Sequence, residues 1–449
     1  MAVPPLVPLT GADCFLRAFD AEIRRHCGAS HVSQLVLRLG PGLDAGALAR
    51  VLAEASAAQP ILRAPIGRRL GLGAPVYRTG RARRSPAPRL EVHDLPAPAE
   101  GEAPLPALFA RRLNEPLDAR RGELLRLDLV RYAGGAAGAD LALSWLHLLF
   151  DGSGSEGFVR WLDECHRGAR SPRELPQPDE LAPPPPPASS PGERGARARA
   201  WQRRTLALGA LPLRSPAGPL RRTRQALEFE FAALAPDETE RAVARARERA
   251  GFLTPMLFYL AAAIRAHHAV FRKRGVDPGS YAVPLPVNLR PKGAAGALFR
   301  THVSLLWFQV RPEEVEDLGG LLEVLKEQRR EAIRGEQVEN GVCAMDFARF
   351  APRRFYARRA RRHLRGELCS FFFAFTGDFL PGLTHFLGAE IRGGFHVAPV
   401  PPSPGSALAL SLRGGRLGAT HVRQRGVFDA DELAVFREQL RDDLVGAPG

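Results

Sequence analysis

Trp145-Leu146-His147-Leu148-Leu149-Phe150-Asp151-Gly152 is the stretch that decides how the rest of the chain is read. Before it, Leu141, Leu143 and Trp145 alternate with Ala142, Ser144 and Leu146. Both sets are largely apolar, which predicts a strand buried on both faces. After it come Gly152, Gly154 and Gly157 with Ser153 and Ser155 between them. Phe158, Trp161, Leu162 and Cys165 then repeat at i, i+3, i+4 and i+7, the stripe of an amphipathic helix. A histidine and an aspartate therefore sit where a buried strand turns into a helix, a place where a rigid sheet supports functional side chains. A neutral imidazole there can take a proton from an attacking hydroxyl or amine. The aspartate can orient the ring, or pair with a distant arginine and hold the loop. The plain alternative is a buried histidine satisfied by a backbone carbonyl. Gly152 to Gly157 lacks the lysine of a P-loop. It is not a GxSxG elbow either, so a serine nucleophile has no support.

Similar alternation extends to both sides. Val32 to Leu39 predicts a strand, and Asp44 caps a helix whose Leu48, Val51, Leu52 and Ala55 share a face. In the back half, Leu227, Phe229 and Phe231 alternate with Glu228 and Glu230. Val303 to Val310 predicts an apolar strand, and Leu321, Leu322 and Leu325 mark a helix. Leu408, Leu410 and Leu412 lead into the turn signal Gly414-Gly415. Asp429 with Glu432 forms a capping box ahead of Leu433, Phe436, Leu440 and Leu444. Mixed strands and helices in both halves predict an α/β or α+β protein. The clearest break is a Pro- and Arg-rich stretch with five consecutive prolines, Pro183 to Pro187. Such a run holds an extended backbone. It predicts a linker over 171–200 between lobes at 1–170 and 201–449.

The chain has 449 residues, 45% of them apolar and 25% charged, which excludes a mostly disordered or collagen-like protein. No apolar run reaches the roughly 18 residues of a membrane span, and residues 1–10 carry no signal-peptide pattern. Five scattered cysteines without a CxxC pair fit a reducing cytoplasm and argue against a structural zinc site. The net charge is +15, and only three of the 63 basic residues are lysine. That charge favours anionic partners such as coenzyme A, an acidic carrier protein or nucleic acid. The even spread of arginine is equally what a GC-rich genome supplies. His267-His268 on a predicted helix is expected to be at the surface or partly buried. The cluster Arg353 to Arg365 is expected to form a cationic face, with no RNA-binding module signature beside it.

His147-Leu-Leu-Phe-Asp151-Gly152 resembles the HxxxDG signature of the chloramphenicol-acetyltransferase-like superfamily. That superfamily includes peptide-synthetase condensation domains, polyketide-associated acyltransferases, wax ester synthases and BAHD acyltransferases. Gln59-Pro60-Ile61-Leu62-Arg63 and Leu113-Asn114-Glu115-Pro116-Leu117-Asp118 resemble conserved stretches that precede the signature in these families. Val283-Pro284-Leu285-Pro286-Val287-Asn288-Leu289-Arg290-Pro291 resembles their second-half arginine strand. The resemblance implies two α/β lobes arranged as a V with a central channel.

It also implies roles. His147 would be the general base, and Asp151 would organise the loop by pairing with Arg290 across the lobes. Gly152 would let the chain turn tightly. A thioester donor, acyl-CoA or acyl-carrier phosphopantetheine, would meet a hydroxyl or amine acceptor, with no bound cofactor and no metal. Leu146 stands where the HHxxxDG form has its first histidine, although BAHD enzymes keep only the second. Thr301-His302-Val303-Ser304 stands where GNxxS is common. The sequence does not identify the oxyanion donors; Ser304 and Thr376 are candidates, and His302 is a further candidate substrate or oxyanion contact. The wax-ester-synthase "PLW" and the BAHD "DFGWG" are absent. Two other readings stay open: a non-catalytic relative that binds a carrier protein or acyl chain, and an Arg-rich nucleic-acid binder.

Overall fold

The computed structural model describes residues 4–69, 72–96, 105–133, 138–182, 188, 190–219, 226–252, 254–291 and 296–446. The deciding strand is Ala139–Leu146, and all eight of its residues are buried. It lies inside a six-stranded sheet. Its neighbours are Val32–Leu39 on one side and Leu125–Tyr132 on the other, both antiparallel to it. Its two faces bury different partners, which is why the sequence shows apolar residues at nearly every position. The helix Gly152–His166 follows and buries Phe158, Val159, Trp161 and Leu162.

The back half builds a four-stranded sheet in the order Phe372–Asp378, Ser406–Arg413, Arg416–Gln424, Leu227–Ala233. A two-stranded ribbon of Tyr281–Asn288 and Val303–Val310 stands beside it. The helices Pro255–Lys273 and Ala430–Val445 pack on this half's core, which holds Phe258, Phe371 and Phe436. The architecture is mixed α+β with two lobes.

Three features depart from what local pattern predicts. Strand Ala389–Val397 comes from the back half but pairs with Val32–Leu39, extending the front sheet. The strand is thus exchanged from the back half into the front sheet. Residues 191–207, expected in part as extended linker, form the helix Pro191–Ala207. Ser190 caps it through the Glu193 amide and Pro191 occupies its first turn, both strong start signals. The five prolines themselves lie outside the described residues. His267 and His268 are not at the surface. They are 1% and 8% exposed, with His267 bridging the Ala263 carbonyl and the Ser406 hydroxyl.

Many arginines neutralise carboxylates inside the chain. Arg361 is buried against Glu22 at 2.7 Å, so the helix Arg353–Arg362 does not present all its charge to solvent. Arg112 sits among Glu91, Glu115 and Asp128. No helix among the described residues is long and apolar enough to cross a membrane.

Candidate active site

The turn after Ala139–Leu146 is tied down from several sides. The Leu149 amide donates to the Leu146 carbonyl and the Tyr77 hydroxyl to the Leu148 carbonyl, both at 2.8 Å. The Phe150 carbonyl accepts from the Trp145 indole at 3.0 Å and from His147 Nδ1 at 3.2 Å. A carbonyl can only accept, so Nδ1 carries the ring proton and Nε2 keeps its lone pair. Burial pulls the His147 imidazole below its ordinary value, against an upward pull from Asp151 and the Phe150 contact. The ring is therefore neutral near pH 7 and able to accept a proton.

Asp151 does not touch the imidazole. It caps the helix Gly152–His166, accepting from the Gly154 amide at 2.9 Å through Oδ1. Its Oδ2 accepts from Arg290 Nη1 at 2.7 Å and from the His302 amide at 2.9 Å. Both groups of the pair are nearly fully buried. The guanidinium, together with the two amides, offsets the burial penalty and holds the carboxyl below the usual range. Arg290 Nε donates to the Ala297 carbonyl at 2.9 Å, so the guanidinium has a fixed direction. Alongside, the Arg300 amide donates to the Leu149 carbonyl at 2.7 Å and Phe150 stacks on Phe299. The loop that carries His147 is thus fastened to the back-half segment 297–302 by charge, backbone and aromatic contacts.

Glycine at 152 is not what the turn needs. A Cβ there would meet only His396, at an ordinary 3.9 Å. Gly154 is the constrained position, because a Cβ would run into the Leu298 carbonyl and approach Arg290 Nη2 at 3.0 Å. Gly154→Ala is therefore expected to destabilise the fold by about 1–3 kcal/mol through overpacking. Gly152→Ala should stay within about 0.5 kcal/mol of wild type. Urea denaturation of the two variants separates these outcomes, and equal midpoints would contradict the assignment.

A cavity of about 340 Å³ opens beside His147, in the range of small-molecule sites. The front half lines it with Phe15, Phe19, His31, Ser33, Trp145 and His147. The back half contributes Pro286, Asn288, Phe372, Phe375, Thr376 and His396. Its walls are mainly apolar and aromatic, and its one carboxylate, Asp151, is already paired. Of the expected donors, Thr376 is on the wall, while Ser304 is not among the lining residues. The Ser304 hydroxyl is committed to the Val338 carbonyl at 2.8 Å. The His302 ring turns to the Phe299 carbonyl at 3.1 Å, and burial drives it down to about 4. Leu146 is fully buried in the core and does not line the cavity, so a histidine there would not face it.

Two imidazoles escaped the sequence reading. His31 ends the loop before Val32–Leu39 and lies 5.4 Å from His147, centroid to centroid. His396 comes from the exchanged strand and contacts the Ser155 hydroxyl at 3.3 Å. Neither sits in a motif. Glu91, His93 and Asp128 form the one metal-like cluster among the described residues. Arg112 already occupies its centre, with Nη2 2.7 Å from Asp128 Oδ1.

The chain has the two-lobed α+β fold of condensation domains and chloramphenicol-acetyltransferase-like proteins. Solved structures agree over nearly the whole length. The first condensation domain of the CDA synthetase superposes with a TM-score of 0.68 at 18% identity, covering 100% of this chain and 98% of that one. The TRI3 trichothecene 15-O-acetyltransferase from Fusarium sporotrichioides gives 0.70 at 14% identity, covering 98% and 95%. The starter condensation domain of rhizomide synthetase RzmA, solved in complex with C8-CoA and Leu-SNAC, gives 0.67 at 15% identity, covering 99% and 95%. No family model matches the sequence, and no curated protein does either.

Proposed function

We propose that the protein is an acyltransferase that moves an acyl group from a thioester donor to a hydroxyl or amine. The observation that carries this reading is the His147 lone pair on Nε2, held by the Nδ1–Phe150 contact beside a cavity that both lobes line. The acceptor enters with its O–H or N–H toward Nε2. His147 takes that proton as the nucleophile attacks the thioester carbonyl. The carbonyl oxygen becomes an oxyanion in the tetrahedral intermediate. When the C–S bond breaks, His147 returns the proton to the leaving thiolate. Asp151 and Arg290 act through the loop rather than on the substrate. The desolvation cost of such a buried pair offsets most of its attraction, so its role is to fix geometry. The uncharged, aromatic lining fits an apolar acyl group or acceptor body. Acyl-CoA and an acyl-carrier protein both present the same thioester, and the cationic surface fits either.

The nucleic-acid reading gains nothing from the fold, because arginines such as Arg112 and Arg361 are paired internally. The non-catalytic reading rested on Leu146 and His302. Leu146 lies off the cavity, and His302 contributes its backbone amide to Asp151, which any residue can do.

The pH dependence tests the base directly. Burial sets the imidazole below its ordinary 6.5, and only the neutral form accepts a proton. The rate, kcat/KM, should therefore climb through an acid limb centred below pH 6.5 and level off toward neutrality. Thiol release from a panel of acyl-CoA esters, measured from pH 4.5 to 8.5, reads this. A limb centred above pH 7 would contradict the assignment.

A further inference from the structure

The oxyanion needs donors, and the expected serine is committed elsewhere. Buried polar atoms without partners point to where donors exist. Among the described residues that line the His147 cavity, the potential donors His31 Nδ1, Ser33 Oγ, Thr301 Oγ1 and His396 Nδ1 have no hydrogen-bond partner, and His31 and Ser33 are the two that lie across from the end of the strand leading to His147. His31 and Ser33 are each 4% exposed. A buried polar group left unpaired is uncommon in native proteins and calls for a bound partner.

The register makes this more than coincidence. Val32 pairs with Leu146 and Ser33 with Trp145 across the two central strands. His31 therefore stands opposite His147, and the His147 amide donates to the His31 carbonyl at 3.0 Å. Side chains directly opposite on antiparallel strands share a face. His31, His147, Ser33 and Trp145 thus form one patch on the cavity floor. The His31 backbone is fixed at its other end too, its amide donating to Asp20 at 3.1 Å. Its ring packs against Phe19 at 5.7 Å and His147 at 5.4 Å, centroid to centroid.

We propose that His31 and Ser33 form the oxyanion subsite, the imidazole N–H and the hydroxyl donating to the oxygen of the tetrahedral intermediate. This rests on the acyl-transfer reading. The X–C bond forms as the acceptor proton passes to His147 Nε2. The C=O π pair moves onto oxygen, which accepts hydrogen bonds from His31 and Ser33. Collapse restores C=O, breaks C–S and sends the proton to sulfur. The two imidazoles touch, 5.4 Å centroid to centroid, and both line the cavity, so one tetrahedral centre lying over the pair can reach both through hydrogen bonds of about 2.6–3.2 Å. Burial keeps His31 neutral, with the nearby His147 acting in the same direction, so it serves as a fixed dipole and does not compete for the acceptor's proton.

The test uses the full chain and thiol release from acyl-CoA and acyl-N-acetylcysteamine esters of two to sixteen carbons. His31→Phe keeps a ring and removes the donor. It should lower kcat by about 10²–10³-fold with KM little changed. His31→Gln restores a donor and should recover at least a part of that loss. Ser33→Ala should lower kcat by about tenfold. The acid limb should stay in place in all three, because His147 keeps its own contacts. A His31→Phe kcat within threefold of wild type overturns the subsite. So does a displaced acid limb without rescue by Gln, which would mean that His31 acts only by positioning His147. If both His31 variants lose their thermal transition, Ser33→Ala decides, and a wild-type kcat there overturns the proposal. Equal thiol release by wild type and His147→Ala removes the acyl-transfer reading and the subsite with it. Loss in His147→Ala with none in the His31 and Ser33 variants removes the subsite alone.

Discussion

His147→Ala lowers thiol release by about 10²–10⁴-fold, the range that a positioned general base contributes. The fold should survive. The Phe150 carbonyl that His147 holds keeps its second donor, the Trp145 indole at 3.0 Å. The main-chain bond from residue 147 to the His31 carbonyl does not depend on the side chain. The thermal midpoint should therefore move little while the rate collapses. His147→Gln is the sharper comparison, since it can keep a contact to Phe150 without offering an imidazole lone pair. Both variants are read by thiol release and by a melting curve. An unchanged rate in either variant would end the general-base assignment.

Arg290→Ala is the second large effect, and it falls first on stability. Removing one member of a buried ion pair leaves the other charged and unpaired, at a cost of about 3–5 kcal/mol. Asp151 would keep only the Gly154 and His302 amides. Asp151→Ala orphans the guanidinium in the same way. The double variant Asp151→Ala/Arg290→Ala should be less damaged than the two single losses added together, because no charge is then stranded. Urea unfolding of the four proteins measures this coupling, and additive losses would show that the pair is not a unit. Its pH dependence has a definite sign. The folded carboxyl of Asp151 lies below its ordinary 3.8. Its stabilising contribution is complete above that value and disappears as pH falls through the folded one. Wild type should therefore lose this increment only below about pH 4, and Arg290→Ala should lack it at neutral pH. The rate should fall as well, since the loop bearing His147 would lose its tie to segment 297–302.

Much of the fold was legible because local physics writes itself into local sequence. The two-face burial of Ala139–Leu146 appears as an almost unbroken apolar run. The Asp44 and Asp429 caps sit where their helices begin. Strand Val303–Val310 has the predicted bounds. The errors also have physical causes. The Arg- and Ala-rich stretch after Ser190 lacks a strong apolar stripe, and the prolines before it dominated its reading. Its cap starts the helix, and its packing on the helix Gln337–Ala348, with Trp201 against the core, is a tertiary contact that local pattern does not show. The full burial of His267 was not legible because helical spacing alone does not reveal that Ser406 lies across from it.

The sequence by itself determined the strand–turn–helix around His147, the placement of Asp151 at the helix start, and the apolar character of both lobes. These follow from periodicity, capping and turn chemistry within some twenty residues. Tertiary structure alone decided which distant groups face that histidine. Arg290 reaches Asp151 because two lobes meet there, and His396 arrives on a strand that joins the front sheet from far along the chain. His31 faces His147 through the register of two paired strands. A strand buried on both faces looks alike in either register, so no local pattern could tell which of its polar neighbours points into the cavity.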